Sequence, residues 1–282
     1  MNEGPVVITL YQRGGPSTGM PTRTEQGDLQ FAIHAGHGEF PRIIYAPGTL
    51  LQGFQLTKKA FDIADRYQIP VIILTDQAFI DSLSMVEKSA LSTSDIEEYI
   101  IKTSDDYKRY EITNDGISPR GIPGFGSGFV CVDSDEHDEY GRITEDMRVR
   151  NQMNEKRMKK HDLLLNEIVA PTFHGPKEYR NLVLCWGSTF PIIKEAVQML
   201  GRSDIGLLHF SQVYPIHSSI KKYLDKSMKT IMIENNQTGQ FARLIKTETG
   251  AKIDHRIVQY SGLPFTVETI KKRLKDILEE KP

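Results

Sequence analysis

RIIYAPGTLLQGFQLTKKAFDIADRYQIPVIILT, residues Arg42–Thr75, is the stretch on which the fold class turns. Its two ends, Arg42–Ala46 and Pro70–Thr75, are short, β-branched and almost wholly apolar, which is how strands covered on both faces read. Between them, Leu50–Tyr67 places Leu51, Phe54, Ala60, Phe61 and Ala64 among Lys58, Lys59, Asp62 and Arg66, the 3.6-residue period of an amphipathic helix. A strand, a helix and a second strand at these lengths form the crossover unit of a parallel sheet. Upstream, Pro5–Tyr11 (PVVITLY) reads as another strand, and Asp28–Phe40 as a helix that Pro41 stops.

Further along, the same alternation resumes. Strands are expected at Asn181–Trp186, Ile205–Phe210 and Thr230–Glu234, with helices at Pro191–Leu200, Ile216–Leu224, Gln240–Thr249 and Phe265–Leu278. The middle is less regular. Ser84–Gly128 shows no sustained period, and Gly121, Gly124, Gly126 and Gly128 read as loop, followed by a strand at Phe129–Val132. Ile143–Ile168 is charged but helical, with Met147, Val149, Met153, Met158 and Leu163–Leu165 as its apolar side. Pro171–Lys177, holding Gly175 and two prolines, reads as a linker. The expected organisation is therefore α/β in two units, residues 1–175 and 176–282.

Composition narrows the function. The 282 residues are 39% hydrophobic and 26% charged, enough to build real cores. Thirty-five Lys and Arg against 37 Asp and Glu leave a net charge of -2, so no global field collects nucleic acid or an anionic membrane. The apolar runs are strand-sized, and Met1–Pro5 has neither the basic nor the apolar part of a signal peptide, so a cytoplasmic protein is expected. Cys131 and Cys185 are the only cysteines, which makes neither a disulfide framework nor an iron–sulfur motif; any electron carrier is expected on another chain.

The segment QRGGPSTGMPTRTEQGD, Gln12–Asp28, follows the first strand directly. Ligands of open parallel sheets bind at the carboxyl ends of strands, which is where this segment lies. Gly14 and Gly15 free the backbone, while Ser17, Thr18, Thr22 and Thr24 add hydroxyls. Arg13 presents a planar fork suited to a carboxylate or phosphate; the plainer reading is a turn arginine paired with a nearby acid. His34 and His37 on a helix, and His137 beside Asp138 and Glu139, are read as solvated or helix-end groups because nothing makes three or four ligands converge. Cys185 reads as a buried strand thiol. Gly121–Gly128 matches no phosphate loop. Gly187–Thr189 and Thr238 read as helix caps, and the amides of Glu234–Gln240 as capable of lining an interface.

The wording of four segments carries more. QRGGPSTGMPTRTEQGDL (Gln12–Leu29), HAGHGEFPRIIYAPGT (His34–Thr49), DEHDEYGRITED (Asp135–Asp146) and ENNQTGQFARLIKTETG (Glu234–Gly250) resemble, in order, the α subunit of 2-oxoacid:ferredoxin oxidoreductases, especially the 2-oxoglutarate type. The resemblance implies an enzyme that decarboxylates a 2-oxoacid oxidatively with thiamine diphosphate, makes an acyl-coenzyme A and passes electrons through an iron–sulfur cluster to ferredoxin. It implies a pyrimidine-type thiamine-binding domain followed by a transketolase C-terminal-like domain. A β subunit would hold the diphosphate and magnesium, so that this chain binds no cofactor alone and has no catalytic residue of its own. The Arg of the family motif that matches Arg13 holds the substrate carboxylate, and the Thr that matches Thr22 lies beside the substrate.

Family α subunits carry, before this motif, a Tyr-Pro-Ile-Thr-Pro segment and a glutamate that activates the aminopyrimidine. Neither is present, and Tyr214-Pro215-Ile216-His217 only echoes the first. Asn114-Asp115-Gly116 also lacks the Gly-Asp-Gly pattern of a magnesium diphosphate site. The N-terminal unit is therefore expected to be incomplete, to expose an apolar sheet edge and to work with a β chain and an upstream α fragment. The competing reading is a non-catalytic assembly or scaffold module derived from that subunit.

Overall fold

The computed structural model describes residues 1–91 and 97–280. From the N-terminus, β1 (Val6–Gln12) leads through a long loop to α1 (Leu29–His34), then β2 (Ile43–Tyr45), α2 (Leu50–Tyr67), β3 (Pro70–Asp76) and the four-residue α3 (Gln77–Ile80). The middle contributes β4 (Ile100–Thr103), β5 (Arg120–Gly126) and α4 (Met147–Leu164). The rest runs β6 (Thr172–His174), β7 (Asn181–Trp186), α5 (Phe190–Leu200), β8 (Ile205–Phe210), β9 (Gln212–Tyr214), α6 (Ile220–Lys226), β10 (Lys229–Glu234), α7 (Gln240–Thr249), β11 (His255–Val258) and α8 (Val267–Glu279).

Helix α2 has the bounds its periodicity predicts. Thr49 Oγ1 accepts the Gln52 amide at 3.2 Å as an N-cap, and the helix ends where Gln68 turns left-handed at φ 53°, two residues before Pro70. It buries Leu56, Ala60, Ile63, Ala64 and Tyr67 against β2 and β3, whereas Phe61, at 57% exposure, faces outward. Replacing Ile63 by Ala is expected to cost about 2–5 kcal/mol, the usual penalty for emptying a closed core site, read as a drop in the denaturant midpoint.

The sheets confirm the α/β class. The first has the order β1-β3-β2-β9, with β1, β3 and β2 parallel and β9 antiparallel. The second has the order β11-β10-β7-β8-β6, parallel except for β6. They share a core: Leu29, Ile44, Ile72 and Leu74 from the first half pack in one buried cluster with Leu184, Trp186, Phe210 and Phe241 from the second. β9 ends at Tyr214, so a strand that lies late in the chain belongs to the first sheet.

Several expectations are corrected. The helix expected over Asp28–Phe40 is only Leu29–His34, because Gly36 and Gly38 adopt φ 94° and 75° and Arg42 caps its last turn, donating to Ala32 O and Ala35 O. Arg120–Gly126 is a strand rather than loop, paired in parallel with β4; its outer residues are exposed, so no burial pattern marks it. The irregular stretch Ser84–Gly128 also takes in residues 92–96, which lie outside the described residues. Phe129–Val132 is not a strand, and Phe129 is 92% exposed. The stretch read as a linker contains β6, paired with β8. The face α4 buries takes only part of its apolar side. Met147 and Met158 are exposed, whereas Lys156, Arg157 and Lys160 are buried beside Met153 and Leu164.

Those buried cations have anions waiting. Lys156 Nζ donates to Glu3 Oε1 at 2.7 Å, Lys160 to Glu3 Oε2, and Arg157 to both oxygens of Glu136. Burial alone would raise the Glu3 carboxyl, but Lys160 and Lys156 overcome it and bring it down to about 2. Arg109 closes the cluster by donating to Asn2 O, Glu3 O and Gln68 Oε1.

Candidate functional site

The loop Arg13–Asp28 rises from the carboxyl end of β1, where Gln12 is in register with Asp76 of β3. Its tip folds back on itself. Gly14 and Met20 form an antiparallel bridge, the Met20 amide donating to Gly14 O at 2.8 Å. Gly19 sits there at φ 50°, where a Cβ would lie 1.8 Å from Gly14 O, so no other residue fits. Arg13 and Thr22, both exposed, flank the bridge on its two sides. Arg13 Nε donates to Thr18 O at 3.0 Å, which holds the stem of the guanidinium. Its two terminal nitrogens have no hydrogen-bond partner among the described residues, so the fork remains available for a planar anion.

Two carboxyls sit at the base of the loop. Asp28 is pushed above the usual range by burial, opposed by the Arg13 guanidinium and backbone amide. Glu25 is raised by burial and by the charge on Asp28. No ion pair joins Arg13 to either carboxyl, although its charge acts on Asp28.

The far leg of the loop is held by the second sheet. Gln26 and Asn235 exchange hydrogen bonds, Gln26 Nε2 donates to Trp186 O at 2.8 Å, and Asn236 Nδ2 donates to Gln26 O at 3.1 Å. Glu234, fully buried, accepts from Trp186 Nε1, Asn236 Nδ2 and the Phe241 and Ala242 amides. The Glu234–Gln240 segment therefore lines the interface to the loop. Thr238 is not its cap: Asn236 Oδ1 takes the Gly239 and Gln240 amides at the start of α7. Nor do Ser188 and Thr189 cap α5. Thr189 donates to Trp186 O, and Ser188 donates to Asp76 across the two sheets. Burial pushes the Asp76 carboxyl up, against hydrogen bonds from Ser188, the Phe79 amide and Thr24.

The remaining sequence candidates lie elsewhere. His34 ends α1, and His37 stands beyond it between Gly36 and Gly38. His137 is fully buried against the Tyr110 ring, 3.8 Å between centroids, and burial keeps its pKa low. Cys185 is a buried thiol pushed up by desolvation. Gln26, Asp76 and Glu234 were not singled out from sequence; Gln26 and Glu234 lie in the quoted motifs, but no local pattern marks a polar residue that will be buried.

A family model described as pyruvate flavodoxin/ferredoxin oxidoreductase, thiamine diphosphate-binding, matches residues 1–156. The chain belongs to this family. It is similar to the 2-oxoacid:ferredoxin oxidoreductase subunit alpha of Saccharolobus solfataricus, 38% identical over 99% of this chain and 46% of that protein. It is also similar to the 2-oxoglutarate synthase subunit KorA of Methanocaldococcus jannaschii, 30% identical over 84% of this chain and 64% of that one. Among solved structures, the 2-oxoglutarate:ferredoxin oxidoreductase from Magnetococcus marinus, with 2-oxoglutarate, coenzyme A and succinyl-CoA bound, superposes with a TM-score of 0.88 at 30% identity, over 99% of this chain and 50% of that one. The chain thus spans about half the length of the first curated relatives it matches.

The family implies thiamine diphosphate. Among the described residues no three His, Cys, Asp or Glu side chains converge as metal ligands. No helix among them is long and apolar enough to cross a membrane.

Proposed function

We propose that the chain is a working part of an α subunit of a 2-oxoacid:ferredoxin oxidoreductase, with 2-oxoglutarate as the 2-oxoacid, and that its contribution is to bind the substrate carboxylate. The observation that carries this is Arg13: a guanidinium fixed by its Nε at a parallel-sheet carboxyl end, with both terminal nitrogens free, on a loop shaped by its own bridge. Thr22 on the other side of the bridge supplies a hydroxyl beside the bound acid. When bound, thiamine diphosphate supplies the electron sink for decarboxylation. In this reading partner chains hold it with magnesium and the iron–sulfur cluster, and coenzyme A and ferredoxin meet the complex rather than this chain alone. The location is cytoplasmic.

The sheet supports the need for partners. β1 is an edge strand of the first sheet, and Val6, Ile8 and Tyr11 along it are 43%, 43% and 59% exposed. A parallel edge of this kind invites another strand, and we assign it to an upstream α fragment, with the β subunit completing the site. The test is to purify the tagged chain without oxygen from its native host, identify what accompanies it, and assay 2-oxoglutarate-dependent ferredoxin reduction with coenzyme A. Activity in a complex with a β chain and an α fragment is the expected result. Recovery of this chain without activity or thiamine-binding partners would instead support the scaffold module.

A further inference from the structure

We propose that Gln26 is a positioning residue for Arg13: through it, the second sheet sets the aim of the guanidinium. This rests on the reading of Arg13 as the carboxylate fork. Gln26 is 1% exposed, and all four of its hydrogen-bonding groups are paired outside its own loop. Its backbone amide donates to Asn235 O at 2.6 Å, its Oε1 accepts from the Asn235 amide at 2.9 Å, its Nε2 donates to Trp186 O, and its carbonyl accepts from Asn236 Nδ2. These partners stand at the carboxyl ends of β7 and β10.

The link from Gln26 to Arg13 is short. Gly27 follows, its carbonyl accepting from Gln240 Nε2 at 2.6 Å, and a Cβ there would lie 3.5 Å from Arg13 O. Asp28 comes next. Its amide donates to Gln12 Oε1 at 3.1 Å, and its carboxyl lies near enough to the Arg13 backbone amide and guanidinium for both to favour its charged form. Residues 26–28 therefore run as a brace along the Arg13 backbone, bolted at one end to the second sheet. The loop contains no helix or strand of its own, so this brace, the bridge at its tip and the Thr24 contacts to Ala78 and Gly262 are what hold it in one shape. Preorganisation of this kind raises affinity by removing the ordering cost from the binding step.

The experiment uses the assembled enzyme. Gln26→Ala orphans the Asn235 amide and takes from Trp186 O one of its two donors, Thr189 remaining, and is expected to raise the KM for the 2-oxoacid by about tenfold or more, leaving the KM for coenzyme A unchanged. Gln240→Ala, a milder loosening of the same brace at a half-buried residue, is expected to raise it by roughly threefold and decides the matter if Gln26→Ala does not assemble. In an Arg13→Ala background, Gln26→Ala is expected to add less than about twofold, because its effect passes through the missing side chain. A loss of turnover with unchanged KM, or full additivity with Arg13→Ala, overturns the positioning role and leaves Gln26 a stabilising residue. If Arg13→Ala itself leaves KM unchanged, the carboxylate reading and this proposal fall together; if only the Gln26 and Gln240 variants leave it unchanged, this proposal falls alone.

Discussion

Arg13→Ala in the assembled enzyme is expected to lower kcat/KM for the 2-oxoacid by roughly 30- to 1,000-fold, about 2–4 kcal/mol, the range for losing a charged, hydrogen-bonded pair to a carboxylate. Two features make the effect large. The guanidinium stem is already held by Thr18 O, so little ordering is left for the bound state, and both terminal nitrogens are free to meet two carboxylate oxygens at once. Arg13→Lys keeps the charge but not the fork and should fall between the two. The side chain is exposed and makes no ion pair, so the unfolding midpoint of the Ala variant should stay within about 0.5 kcal/mol of the parent. Unchanged steady-state kinetics would return Arg13 to a role in the turn.

The second large effect lies at the opposite end of the sheet. Glu3→Gln leaves Lys156 and Lys160 buried without their anion and is expected to cost about 3–5 kcal/mol in folding stability, read by denaturant unfolding. The same group governs acid behaviour. Its folded pKa is depressed from the ordinary 4.5 to about 2, so its contribution is fully present above about pH 4.5 and is lost as pH falls towards 2. The parent should lose stability through that window, and Glu3→Gln should lose much less there. Removing all three charges together, as Glu3→Gln with Lys156→Met and Lys160→Met, should recover most of the loss, because the penalty comes from uncompensated burial rather than from the absence of an ion pair. A Glu3→Gln variant within about 1 kcal/mol of the parent would show that the lysines find another anion or neutralise without cost.

That cluster also marks where sequence reading stopped. Helix α4 was expected to bury an apolar side, of which Met153 and Leu164 are buried, but a lysine reads as solvated until an acid 153 residues away is known to meet it. The 3.6-residue period of Leu50–Tyr67 needed no such partner; its caps, its apolar face and Pro70 all lie within reach of one another, and its bounds came out as read. Asp28–Phe40 shows the intermediate case. The helix exists, but its end was decided by Arg42 capping Ala32 O and Ala35 O and by two glycines at positive φ, of which only the glycines are visible in a string of letters.

The candidate site divides along the same line. Glycines that tolerate a tight turn, an arginine at a strand end and a run of hydroxyls are local chemistry, and they mark Arg13 as an anion fork; Thr22 is singled out among the hydroxyls only by the family resemblance. The strand, helix, strand alternation likewise reports α/β directly, because burial on both faces of a parallel sheet demands uniform apolar strands and amphipathic crossovers. What ties the loop to the rest of the molecule is not local. Gln26 meets Asn235 from 209 residues away, Ser188 meets Asp76 from 112, and β9 leaves the second half to close the first sheet. Such pairings exist only once two hydrophobic faces have joined into one core and stripped water from the polar groups between them, and until then nothing distinguishes the glutamine that becomes a brace from one that stays in solvent.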